Sequence, residues 1–299
     1  MKNFIKQITP PVIKNVIKTI ITKILKIKGK LKIDDYIITT PPEYPRKTQQ
    51  KNNKLYDRFL PFLVKNITSN GLIVDIGANI GDTAISLVQN CNNEILCIEP
   101  SSFFYSYLEK NIELLNKNHK DRITLKKCFI GTGIYSGELL HIPGTASLSL
   151  SESTQNNFNT LDSVLSNYPS ISIIKVDIDG YDFDALNSAK NTISNLKPVL
   201  FFENQIDHDF QMKGFSNTYT WLLEDGYNNI CIFDNFGNII SISNNFDTLI
   251  DINLYLYSQL KYNCSRTFYY TDVLAFTDIQ KNEIFKAILD YKKELIESN

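Results

Sequence analysis

Residues 72–82 read LIVDIGANIGD, and Glu99 closes the next apolar run at 95–98; no other segment restricts the fold of this chain as much. Apolar residues 72–74 run into Asp75, Gly77 and Gly81 stand four apart, and TAISLV then starts a helical pattern. A strand, a glycine turn and a helix in this order open a nucleotide-binding α/β sheet. Glycine permits positive φ and lets a ligand approach the backbone closely. The following helix directs free N–H groups and a partial positive charge at whatever sits there. Glu99 comes 18 residues after Gly81. A carboxylate at the end of a second strand can accept hydrogen bonds from both hydroxyls of a ribose.

The spacing does not suit a dinucleotide. A pyrophosphate lies on the backbone of GxGxxG, whereas here Asn79 stands where the middle glycine would be and Asp75 adds negative charge beside the turn. A ligand with a ribose and a cationic centre fits better. S-adenosylmethionine, with its sulfonium and α-amino groups, is such a ligand.

The rest of the chain alternates. Helical patterns at 55–67, 82–90, 101–116 and 181–194 separate strand-like runs at 72–76, 94–98, 122–130, 171–177 and 198–203. Alternation of this kind predicts a mostly parallel sheet with helices on both faces. Residues 131–158 are rich in Gly and Ser and read as irregular. A helix at 217–225, strands near 229–233, 238–242 and 270–276, and a turn at 235–237 predict an antiparallel closing edge.

A second informative segment is IIKVDIDGYDFDAL at 173–186. In an open α/β sheet ligands bind at the carboxyl ends of the strands, which puts Asp177 and Asp179 on the same rim as Asp75 and Glu99. Lys175, two residues before Asp177, projects to the same side of its strand. VLFFE ends on Glu203, with Asn204 and His208 just beyond. A carboxylate that closes a buried strand is costly unless paired or used, which singles out Asp177. Asp179 also suits an N-cap, Lys175 a structural ion pair, and His208 a surface loop. No P-loop and no Ser-His-Asp arrangement is present, and His119 and His141 lack partners at ligand spacing.

DIGANIGD, CIEP, TLDSVL (160–165), IIKVDIDGYDFDAL and KPVLFFE, in this order, resemble the FkbM-type family of S-adenosylmethionine-dependent O-methyltransferases. The match runs from about 71 to 203, and more weakly to 277. The family usually reads IDVEGYE where this chain has VDIDGYD; the exchange of Glu for Asp keeps the charge. The resemblance implies a seven-strand Rossmann-like methyltransferase sheet, mostly parallel with an antiparallel C-terminal edge. It places Asp75, Gly77, Asn79, Gly81 and Glu99 at the cofactor, and Lys175, Asp177, Asp179 and Glu203 on the acceptor side. It also implies a hydroxyl acceptor on a sugar, nucleotide sugar, glycan or polyketide. Asp177 or Glu203 could take the hydroxyl proton directly, or together hold a divalent cation such as Mg2+ that acidifies it. A nicotinamide-dependent oxidoreductase and a non-catalytic scaffold in polysaccharide assembly are the competing classes.

Composition narrows the partners. A net charge of −1 argues against general nucleic-acid binding. Five cysteines without a CxxC pair, with Cys97, Cys128 and Cys231 in apolar runs, predict buried thiols and a reducing, cytoplasmic setting. Residues 1–32 hold nine lysines and no acid, and apolar residues recur at helical spacing from 12 to 27. This predicts a basic amphipathic helix over 1–33, able to lie on the inner face of an anionic membrane. A proline-containing linker at 34–54, a catalytic domain at 55–280 and a C-terminal helix at 281–299 complete the expected organisation.

Overall fold

The computed structural model describes residues 29–42, 44–45, 52–53, 56, 58–142, 144–150 and 157–297. The basic helix expected up to residue 28 lies outside these. Its expected end does not continue as helix: β1 (Gly29–Ile33) and β2 (Tyr36–Thr40) pair antiparallel where a helix terminus and a linker were anticipated. Leu31 and Ile33 are buried and alternate with exposed Lys30 and Lys32, and buried Ile38 follows exposed Ile37, a period of two that marks a half-buried strand.

The first half of the sheet is built as the sequence suggests, from α1 (Phe59–Asn66), β3 (Leu72–Ile76), α2 (Asp82–Asn90), β4 (Ile95–Ile98), α3 (Ser102–Ile112), α4 (Lys117–Lys120) and β5 (Ile123–Lys126). Then come short β6 (Phe129–Ile130), β7 (Gly137–Ile142), β8 (Thr145–Leu150), β9 (Phe158–Asn159) and α5 (Leu161–Leu165). β7 and β8 pair antiparallel, so part of the region expected to be irregular is a hairpin.

The second half holds β10 (Ile171–Val176), α6 (Asp182–Asn187), α7 (Lys190–Leu196), β11 (Val199–Asn204) and α8 (Asp209–Glu224). It ends with β12 (Asn229–Asp234), β13 (Ile239–Ser243), α9 (Asp247–Lys261), β14 (Thr271–Phe276) and α10 (Lys281–Glu297). The main sheet runs β13-β12-β14-β11-β10-β3-β4-β5. It has eight strands rather than seven, because β13 folds back from β12 and adds an antiparallel strand at the edge.

Side chains alternate across the sheet and feed two cores. Val74, Leu96, Ile174 and Leu200 pack against α6 and α8, while Ile73, Cys97, Ile173 and Val199 pack against α1, α2 and α10. The C-terminal helix is thus part of the same unit as the sheet: Ile284, Ala287, Ile288 and Tyr291 are fully buried. Chain order reverses at β3, which has β4 on one side and β10 on the other. Ligands of open α/β sheets sit at such a switch point, beyond the carboxyl ends of the strands.

Candidate active site

The glycine turn after β3 is shaped by its contact with β10. Gly77 has φ of +77°, and a Cβ there would stand 1.9 Å from the Asp177 carbonyl oxygen. Only glycine allows the two strand ends to close this tightly. Gly81, also at positive φ, is the N-cap of α2 and packs beneath Leu108. Asn79 sits between them in the left-handed region at φ 50°, which asparagine tolerates better than most residues.

Glu99 anchors this turn. Its Oε2 accepts the Asn79 N–H at 3.0 Å and its Oε1 accepts the Ser101 N–H at 2.8 Å. Burial pushes the carboxyl up to about 7, against the pull of the two N–H donors. A carboxylate has about four acceptor positions, so two remain for hydroxyl donors. Glu99 lines a cleft of about 730 Å3, counting its open mouth, whose walls include Ile98, Phe104, Phe129 and Leu139.

Asp75 does not line that cleft. It is fully buried, opposite Lys175 in the β3–β10 register, and its Oδ1 lies 3.0 Å from the Lys175 ammonium. The same ammonium is 3.2 Å from Asp177 Oδ2 and donates to the Gly77 carbonyl at 3.3 Å. Burial alone would lower the Lys175 ammonium, but Asp177 and Asp75 outweigh it and hold it above the usual lysine range. Burial pushes Asp75 up, opposed by the charge of Lys175. The pair fixes the geometry of the switch point from below.

Asp177 stands where two clefts meet. It lines the Glu99 cleft and a wider one of about 1530 Å3, its open mouth included, together with Gly77, Asn79, Thr145 and Asp179. Its side chain is 50% exposed, with one oxygen held by Lys175. Asp179 is not an N-cap: it is left-handed at φ 55° and accepts from the Thr145 hydroxyl. Burial pushes its carboxyl up to about 6, against that hydrogen bond. Glu203, in the wall of the wider cleft, is pushed well above the usual carboxylate range by burial and then by the charges of Asp177, Asp182 and Asp179. With no hydrogen bond to its Oε1 among the described residues, burial makes its ionised form costly.

A divalent cation on Asp177 and Glu203 does not fit this donor set. Among the described residues no three His, Cys, Asp or Glu side chains come together as a metal site, and the Lys175 ammonium already sits against Asp177. The β7–β8 hairpin, which crosses the rim, carries no signal in the sequence. Gly144 accepts from the Asn79 amide at 2.8 Å, Thr145 bonds Asp179, and His141 meets Ser101 at 2.8 Å. Those residues carried no motif. His208 stands outside both clefts, as the N-cap of α8 stacked on Phe210.

Residues 75–228, just over half of the chain, match the Methyltransferase FkbM domain. The chain belongs to the FkbM methyltransferase family. The matched FkbM segment opens on Asp75 and contains every residue placed at the two clefts above. Among solved structures the chain is similar to the FkbM methyltransferase from Methylobacillus flagellatus KT, at 17% identity over 69% of this chain and 44% of that one, with a TM-score of 0.38. It thus spans less than half the length of that protein. It is also similar to an O-methyltransferase from Bacillus cereus in complex with SAH, at 14% identity over 91% of this chain and 93% of that one, with a TM-score of 0.43. No curated protein matches the sequence. Cys97 and Cys231 are buried free thiols, whereas Cys128 is only partly covered and borders the Glu99 cleft. No helix among the described residues is long and apolar enough to cross a membrane.

Proposed function

We propose that the protein is an S-adenosylmethionine-dependent O-methyltransferase whose acceptor is a hydroxyl of a sugar or glycan. The observation that carries this reading is the meeting of two clefts at Asp177, one with Glu99 in its wall and the other open to an acceptor. The residues of the first cleft fit the cofactor. Glu99 keeps acceptor capacity for a ribose, Gly77 and Asn79 expose backbone at the turn, and Ile98, Phe129 and Leu139 offer apolar walls for a flat base. When bound, S-adenosylmethionine supplies a methyl group on a cationic sulfur.

The chain's own work is positioning and proton transfer. The acceptor oxygen forms its bond to the methyl carbon as the carbon–sulfur bond breaks, and the hydroxyl proton must leave. Asp177 takes it directly, since it is half-exposed at the junction and oriented by Lys175. Closing the site over the two reactants supplies the remainder by orientation and exclusion of water.

Incubation with methyl-labelled S-adenosylmethionine and a panel of glycosides and glycans tests the reading. The expected result is an alkali-stable methyl ether on one acceptor, with EDTA changing the rate by less than about twofold. Activity that disappears with EDTA and returns with Mg2+ contradicts direct proton transfer to Asp177. Labelling of a carboxyl or a nitrogen contradicts the choice of acceptor.

A further inference from the structure

Besides Asn79 Oδ1 at the glycine turn, the wider cleft holds two buried polar atoms without a hydrogen-bond partner among the described residues. Glu203 is only 6% exposed, and its Oε1 has no hydrogen-bond partner among the described residues. Arg266 Nη1, in the loop between α9 and β14, is buried without one as well. Its nearest carboxylate oxygen, Asp207 Oδ1, is 3.7 Å away, an ion-pair contact beyond hydrogen-bonding range. A buried polar group left without a partner is costly, and two of them in one cleft call for a polar partner there.

The walls around the two orphans say what kind of ligand. Tyr269 lies at the cleft with its side chain 51% exposed and the Arg266 guanidinium 4.8 Å from its ring centroid. Tyr270 and Phe236 line the same space. Aromatic rings combine an apolar face with a polar tip, and such a face matches the C–H face of a pyranose. A carboxylic acid and a guanidinium beside it then bond ring hydroxyls, as acceptor and donor. Charge narrows the class further. Five carboxylates line the cleft against two cations, Lys175 and Arg266. Lys175 is already balanced by Asp75 and Asp177, and Arg266 lies beside Asp207. A diphosphate would bring two further negative charges into a cleft where carboxylates already outnumber cations, and like charges repel.

We propose that Glu203, Arg266 and Tyr269 form the acceptor subsite for an uncharged sugar ring, so that the enzyme methylates a glycan or glycoside and not a nucleoside diphosphate sugar. This rests on the O-methyltransferase reading above and narrows its acceptor.

The test compares methyl glycosides of neutral hexoses and 6-deoxyhexoses with the matching UDP and dTDP sugars, using wild-type protein and labelled S-adenosylmethionine. The expected kcat/KM is at least about tenfold higher for the glycosides. Tyr269→Ala and Arg266→Met each raise the glycoside KM by about tenfold while kcat and the dissociation constant of S-adenosylhomocysteine stay within about threefold. Tyr269→Phe, which keeps the ring face, restores the wild-type KM, as a merely structural role for Arg266 alone would not require. Faster transfer to the nucleoside diphosphate sugars, an unmoved KM in both variants, or transfer to neither class while S-adenosylhomocysteine still binds overturns the subsite. Failure of wild-type protein to bind S-adenosylhomocysteine overturns instead the reading on which the subsite rests.

Discussion

Replacing Asp177 with asparagine lowers kcat by about 10²–10⁴-fold, the range a positioned general base contributes, and leaves the dissociation constant of S-adenosylhomocysteine within about threefold. The split follows from where Asp177 stands. Its carboxylate is at the junction of the two clefts, while Glu99, the proposed ribose acceptor, belongs to another strand end. Asparagine keeps the shape, yet it cannot take a proton and bonds the Lys175 ammonium with a neutral oxygen only. Steady-state kinetics with the acceptor found in the transfer assay, together with calorimetry on the same preparation, reads both quantities. A variant that keeps near-normal kcat makes Asp177 a structural counter-ion of Lys175.

Replacing Lys175 with methionine destabilises the fold by about 3–5 kcal/mol, because it leaves a buried carboxylate without its partner. Asp75 is fully buried, and the ammonium 3.0 Å away is the cation its pairing depends on. For a protein of this size the loss corresponds to a fall in Tm of roughly 10 °C. The sign of the pH dependence is fixed. In the variant Asp75 ionises only well above its usual range, so the folded state binds a proton more tightly than the unfolded chain. The penalty is absent below about pH 4 and grows as the pH rises. Lys175→Met combined with Asp75→Leu removes both charges and recovers most of the lost stability. Thermal melts at pH 4 and pH 8 on the single and double variants check this. Equal Tm values for the single variant and the wild type at pH 8 contradict it.

What was legible in the sequence was local. The glycine turn, the acidic strand ends and the alternation of strands and helices depend on residues a few positions apart, and DIGANIGD and VDIDGYD state them directly. The pairing of Asp75 with Lys175 was not legible, because it depends on the β3–β10 register. Asp75 therefore read as a cofactor residue although it lies beneath the turn. Sequence gives the position of Glu203 but not its burial, which raises its carboxyl well above the usual range. The β7–β8 hairpin was hidden by its Ser- and Gly-rich composition, and α9 by the β-branched and tyrosine residues of DTLIDINLYLYSQLK, which favour no helical reading. Arg266 and Tyr269 lie in a loop without a motif, brought to the cleft only by the antiparallel return of β14 between β11 and β12.

In the proposed function Glu99, at the switch point of the sheet, holds the ribose of S-adenosylmethionine. Its carboxyl is pushed up to about 7 in the free protein, and only the ionised form can accept from both ribose hydroxyls. Binding therefore releases a proton, and affinity must rise with pH through that range. Calorimetric titration of S-adenosylhomocysteine at pH 6 and pH 8 measures this directly, with NAD as the competing ligand. The expected result is about tenfold tighter binding of S-adenosylhomocysteine at pH 8 than at pH 6, weaker and pH-independent binding to Glu99→Gln, and no comparable affinity for NAD. Tight NAD binding, or wild-type affinity for S-adenosylhomocysteine in Glu99→Gln, contradicts it.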